Sequence, residues 1–175
     1  MHILLTRPLE DSAEMILKFQ SLGHKISHIP LLSVNEIKYE SINFSDFKGI
    51  IFTSANAVKF LDTKKIDKKI LCFCVGSATE KKTRSLGFQN VISASGSVGN
   101  LKELILQNFD KNNGNLIYIS GETISLNLDE QLVKEGYSVK RVINYRTSHI
   151  QKFNEKFVDD LRLNIPDIVY IYSQN

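Results

Sequence analysis

Leu116-Ile117-Tyr118-Ile119-Ser120-Gly121-Glu122, then Leu126, Leu128, Leu132 and Val133, then Glu135-Gly136-Tyr137-Ser138-Val139-Lys140-Arg141-Val142, restate in altered form what the chain says at its start. The first copy reads Ile3-Leu4-Leu5-Thr6-Arg7-Pro8, an apolar segment through Ala13, Ile16, Leu17 and Phe19, then Leu22-Gly23-His24-Lys25-Ile26-Ser27-His28-Ile29-Pro30. Each copy is strand, helix, glycine, strand. The first is followed by Gly49-Ile50-Ile51-Phe52-Thr53-Ser54-Ala55-Asn56-Ala57-Val58, and the second by Asp167-Ile168-Val169-Tyr170-Ile171-Tyr172-Ser173-Gln174-Asn175. The first alone continues with Ile70-Leu71-Cys72-Phe73-Cys74-Val75-Gly76-Ser77-Ala78-Thr79. Self-similarity at long spacing marks duplicated units that bury surface against each other.

Short, continuously apolar runs at Ile3 to Leu5, Ile50 to Phe52, Leu71 to Val75, Leu116 to Ile119 and Ile168 to Ile171 read as strands covered on both faces, as in a parallel sheet. Between them, helical spacing predicts helices over Ala13 to Leu22, Ala57 to Leu61, Thr79 to Leu86, Leu101 to Phe109 and Leu126 to Val133. The alternation makes the class α/β. Ser12, Ser54, Ser77, Ser97 and Ser125 are expected as helix caps, and Gly23, Gly87 and Gly136 as helix stops.

With 42% hydrophobic and 23% charged residues, a 175-residue chain is an ordinary globular protein and not a disordered one. No apolar run approaches the roughly 18 to 20 residues of a membrane span, so no membrane association and a cytoplasmic location are expected. A net charge of +3 and a pI near 8.8 favour anionic ligands, without the concentrated basic stripe of nucleic-acid binding. Cys72 and Cys74 lie two apart in a strand-like run and read as core residues on one face, not as a disulfide or a metal site. The histidines, His2, His24, His28 and His149, lack ligand spacing, so no metal is expected.

In a parallel sheet the loops after the strands gather at its carboxyl edge, where ligands bind. Here those loops are Thr6-Arg7-Pro8, Thr53-Ser54-Ala55-Asn56, Gly76-Ser77-Ala78-Thr79, Ser95-Gly96-Ser97, Ser120-Gly121-Glu122 and Ser173-Gln174-Asn175. They are small, hydroxylated and short of carboxylates. Several run straight into a helix amino terminus, whose free amides attract carboxylate or phosphate. Against that stands the plainer reading in which each Ser or Thr merely caps its helix. No Gly-x-Gly-x-x-Gly follows a strand and no Gly-x-x-x-x-Gly-Lys occurs, which excludes dinucleotide binding and nucleotide hydrolysis. Tyr145, in Ile143-Asn144-Tyr145-Arg146-Thr147, is expected to end a strand and donate a proton or hydrogen bond, or else to be an amphipathic residue at a surface seam. Arg7 is the cation of the first edge loop, available to a ligand carboxylate or to a surface salt bridge.

Taken together, Leu4-Leu5-Thr6-Arg7-Pro8, Ile29-Pro30-Leu31-Leu32, Ile51-Phe52-Thr53-Ser54-Ala55-Asn56-Ala57-Val58, Val75-Gly76-Ser77-Ala78-Thr79, Ser120-Gly121-Glu122 and Val142-Ile143-Asn144-Tyr145-Arg146-Thr147 resemble the uroporphyrinogen-III synthase family. The resemblance follows the family's order over essentially the whole chain. It implies two flavodoxin-like parallel-sheet domains joined by a two-stranded extended linker, with residues 1–34 plus 148–175 forming an incomplete domain one and residues 35–147 forming domain two. It implies a lyase reaction without cofactor: cyclisation of hydroxymethylbilane, a linear tetrapyrrole polycarboxylate, to uroporphyrinogen III with inversion of ring D. Tyr145 matches the family tyrosine expected to assist departure of the terminal hydroxyl, and Thr79 matches a cleft-facing threonine. Arg7, Thr53, Ser54, Ala55, Asn56, Gly76, Ser77, Thr79, Ser97, Ser120 and Gly121 would then hold substrate carboxylates.

Family members continue beyond the strand matched by Val169 to Ser173 with a helix, a strand, a second Gly-x-x-Thr-Ala loop and a last helix. The sequence as given stops before them, so it is either a fragment of a synthase or a shortened relative acting as a non-catalytic anion-binding or assembly module. A weak catalyst, self-associating through the incomplete sheet, is the expectation in the first case.

Overall fold

Alternate side chains of the central strands enter separate cores on opposite faces of a sheet, which is why those strands read as unbroken apolar runs. The computed structural model describes residues 1–171. Its elements are β1 (His2–Leu5), α1 (Leu9–Ser21), β2 (Lys25–His28), β3 (Leu32–Glu36), β4 (Phe47–Phe52), α2 (Ala55–Lys59), β5 (Leu71–Val75), α3 (Gly76–Ser85), β6 (Val91–Ala94), α4 (Val98–Asn108), β7 (Asn115–Gly121), α5 (Leu128–Lys134), β8 (Val139–His149), α6 (Glu155–Leu163) and β9 (Ile168–Tyr170). The chain falls into two compact units, one built from Met1–Asn35 and the segment from Thr147 onward, the other from Glu36–Arg146.

Among the described residues the sheets run β2-β1-β9 and β3-β8-β7-β4-β5-β6. The duplication accounts for this order. In each copy the first strand pairs in parallel with the second, β1 with β2 and β7 with β8. The strand that follows each copy then joins the other copy's sheet: β4 lies parallel to β7, and β9 parallel to β1. Each sheet therefore contains pieces of both repeats.

In the larger sheet Ile50, Phe52, Cys72, Cys74, Ile117 and Ile119 face one core with Ala57 and Val58 of α2. Ile51, Phe73, Leu116 and Tyr118 face the other, with Leu101 and Ile105 of α4 and Leu128 and Leu132 of α5. Helices thus cover both faces, as the doubly wound arrangement requires.

Local details depart from expectation in several places. Ser54 and Ser97 cap α2 and α4, Ser97 in a reciprocal capping box with Asn100. Ser12 instead lies inside α1, donating to the Arg7 carbonyl, while the cap positions of α3 and α5 are Val75 and Asn127, neither making a side-chain cap hydrogen bond, and not Ser77 or Ser125. Helix α6 was not anticipated, although Phe157, Val158 and Leu161 show helical spacing behind the Asn154 cap. Strand β9 is exposed along its length, unlike the other apolar runs, with Val169 51% accessible. Ser173, Gln174 and Asn175, read as a further edge loop, lie outside the described residues.

Candidate functional site

The larger sheet reverses direction at its centre. From β4 the chain winds outward to β5 and β6, then returns to the far side of β4 to place β7 and β8. Such a switch point opens a crevice at the carboxyl ends of the two diverging strands. Here those ends carry Thr53, after β4, and Ser120 and Gly121, closing β7.

Thr53 follows Ile51 on the α4/α5 face, and its Oγ1 lies 3.0 Å from the Tyr118 hydroxyl. Burial pushes the Tyr118 phenol above its ordinary pKa, so it stays protonated and serves as a neutral hydrogen-bonding group. Across the β7/β8 pair, Arg141 Nε donates to Ser120 Oγ at 2.8 Å and its Nη2 donates to the carbonyls of Gly121 at 2.9 Å and Glu122 at 3.2 Å. A single guanidinium therefore fixes the end of β7. Ser120 is fully buried and its hydroxyl also donates to the Gly121 carbonyl, which removes it from the groups a ligand can reach.

Tyr145 does not end its strand. It sits within β8, which runs on to His149, at an irregularity in register where Ser120 pairs with Ile143 but Gly121 pairs with Tyr145. The skipped residue, Asn144, turns into the core beneath α2 and donates from Nδ2 to the Ala57 carbonyl at 2.7 Å. This bulge re-aims the side chain that follows it. The Tyr145 ring comes to lie against Gly121, where an added Cβ would stand 2.7 Å from Cζ. A side chain at the end of β7 would push the ring off this seat.

The next loops along the edge are Gly76 to Thr79 and Ser97. Gly76 has φ +76 with open space around it, so backbone conformation and not crowding calls for glycine there. Ser77 is exposed at the start of α3, and the Gly76 carbonyl accepts from Ser93 Oγ. Thr79 is only 4% accessible and faces inward, not into an open cleft. In the Thr53 to Asn56 loop, Ser54 Oγ accepts from the Asn56 amide at 3.2 Å, while Ala55 opens α2. Arg7 belongs to the other unit, at the carboxyl end of β1, beside Asp11 at 3.6 Å.

The edge of the larger sheet thus brings together Thr53, Ser54, Ala55, Asn56, Gly121 and Tyr145, with Gly76 and Ser77 one strand along. Tyr118, Arg141 and Asn144 were missed as site-forming residues. Asn144 did carry a signal, being a polar residue that directly follows the apolar pair Val142-Ile143. The two cysteines are free and buried, and burial lifts Cys72 to about 12 and Cys74 to about 11, leaving inert thiols. Among the described residues no cluster of metal-ligating side chains occurs, and no helix is long and apolar enough to cross a membrane.

Residues 13–175 match the model of the family described as uroporphyrinogen-III synthase HemD. The fold is similar to the crystal structure of uroporphyrinogen-III synthetase from Helicobacter pylori 26695, with a TM-score of 0.60 at 18% identity over 97% of this chain and 72% of that one. It is also similar to a mutant uroporphyrinogen III synthase from the extremely thermophilic bacterium Thermus thermophilus, with a TM-score of 0.55 at 14% identity over 97% of this chain and 71% of that one. No curated protein matches the sequence.

Proposed function

The chain belongs to the uroporphyrinogen-III synthase family, and from that premise we propose that it cyclises hydroxymethylbilane to uroporphyrinogen III, inverting the last pyrrole ring. The family is a lyase of haem biosynthesis. The observation that carries the reading to particular residues is the Tyr145 ring seated on Gly121 at the switch-point edge, within a rim of backbone amides and hydroxyls.

The substrate is a flexible chain of carboxylate-bearing pyrroles, so the main task is to hold it curled with its ends in reach. The amides of the Thr53 to Asn56 and Gly76 to Ser77 loops grip carboxylates, and on the smaller unit the Arg7 guanidinium is a cation offered to a carboxylate. Ser97, whose hydroxyl is engaged with Asn100, offers its backbone surroundings and not its side chain. Tyr145 donates a proton to the terminal hydroxyl, which leaves as water as its C–O bond breaks. The exposed carbon is attacked by the substituted position of the last ring to give a spiro centre. The bond from that position to its original bridging carbon then breaks, the bridging carbon is attacked by the ring's unsubstituted α position, and the proton that this position loses on closure restores the phenol. Ser120 and Thr79 act behind this surface, as parts of its frame.

The same reading takes residues 1–34 with 148–175 and residues 35–147 as two domains, with the crossings near Leu32 to Ile37 and Tyr145 to His149 as the linker between them. Support comes from the hydrogen bonds that flank it, Ile37 N–H to the Asn144 carbonyl and Ile150 N–H to the Leu31 carbonyl. The exposed apolar strand β9 supports self-association by strand addition. Expression of this chain in bacteria lacking their own uroporphyrinogen-III synthase tests the function. Restored haem-dependent growth is expected, and growth no better than with a Tyr145→Phe chain or an empty vector contradicts it.

A further inference from the structure

A pocket of 540 Å³ opens in the smaller unit, between the end of β2 and the start of α6. Its size falls within the roughly 300 to 1,000 Å³ of small-molecule sites. One wall is Ile29 and Pro30, held rigidly because the amide of Ile29 donates to the Leu5 carbonyl and that of Leu31 to the Thr6 carbonyl, both at 2.9 Å. Phe153 and Phe157, two apolar rings on either side of the Asn154 cap, also line the pocket. Lys152 and Lys156 also line the opening; neither has an ion-pair partner among the described residues, and no lining residue is acidic.

His28 lines the pocket as well. Its Nε2 lies 2.6 Å from the Arg7 carbonyl, and because a carbonyl can only accept, the proton resides on Nε2. The Nδ1 atom is left for another partner. Apolar walls with unopposed cations at the mouth select a ligand that is flat and apolar in its body and anionic at its edge.

We propose that this pocket binds a carboxylate-bearing aromatic ring, with the ring against Ile29, Pro30, Phe153 and Phe157 and its carboxylates at Lys152 and Lys156. The pocket stands on the geometry of its own unit. Only the choice of a pyrrole as probe rests on the synthase reading.

Binding of porphobilinogen, one pyrrole with two carboxylate arms, to the full chain followed by NMR tests the proposal, with uncharged pyrrole and inorganic phosphate as competitors. Lys152→Ala/Lys156→Ala is expected to raise the Kd about tenfold, a change of the size that two exposed ion contacts provide. Phe153→Ala, which removes a partly exposed ring without touching charge, is expected to weaken binding as well. Neither competitor displaces the probe at equal concentration. No binding to the native chain, an unchanged Kd in both variants, or displacement by phosphate alone overturns the proposal. Loss of binding in the variants supports the pocket whether or not the chain turns over hydroxymethylbilane, so the two readings fail separately.

Discussion

Tyr145→Phe is expected to lower kcat for ring closure about a hundredfold, near the low end of what a positioned acid contributes. It should do so without unfolding the chain. The substitution removes only an oxygen, the ring keeps its seat on Gly121, and the hydroxyl has no hydrogen-bond partner among the described residues to lose. The KM for hydroxymethylbilane should change little, because carboxylate grip resides in the edge loops and not in the phenol. Single-turnover kinetics with thermal melting of the same samples checks both halves. Unchanged turnover, with inversion intact, would remove Tyr145 from the mechanism.

Phe73→Ala should have the largest effect on stability. Phe73 is fully buried at the middle of β5 and meets Phe109 edge-on, with ring centroids 6.3 Å apart. Truncating a core aromatic costs about 3 to 5 kcal/mol, because transfer energy is lost and the cavity collapses only in part. Against a total stability on the order of 5 to 15 kcal/mol, that is a large fraction. Denaturant unfolding of the variant is expected to show a midpoint shifted well below that of the parent with a similar slope. A shift under about 1 kcal/mol would mean that this side of the sheet is not the packed core that its burial indicates.

Much of this architecture is legible in the sequence because the physics that encodes it is local. Ile50 to Phe52 and Leu116 to Ile119 have no polar residue to give away an exposed face, so they announce strands covered on both sides. Gly23 and Gly136 stand at the same place in each repeat, each with positive φ after its helix, and they mark where α1 and α5 stop. The exchange of β4 and β9 between sheets follows from the duplication as soon as each copy is seen to be followed by a strand.

What escapes the sequence depends on register and on long-range contact. The bulge at Asn144 arises from pairing with β7 more than twenty positions away in the chain, and nothing in Ile143-Asn144-Tyr145 alone shows which residue is the extra one. Ser120 looks like an edge hydroxyl until Arg141 is found across the strand pair holding it. Thr79 and Ser77 have the same composition signal, yet one turns inward and the other outward because α3 begins at Gly76. Strand β9 resembles the covered runs in composition, but its exposure is decided by neighbours that composition does not report.

The product of hydroxymethylbilane incubated with the purified 175-residue chain tests the central claim most directly. Chromatographic separation of the uroporphyrinogen isomers, after oxidation to the porphyrins, reads ring inversion itself and distinguishes it from spontaneous closure. Isomer III is expected in a small but measurable excess over a protein-free control, as befits a weak catalyst, with the excess falling when Tyr145→Phe is used. An isomer distribution identical to that control, from folded protein at substrate-saturating concentration, would contradict it.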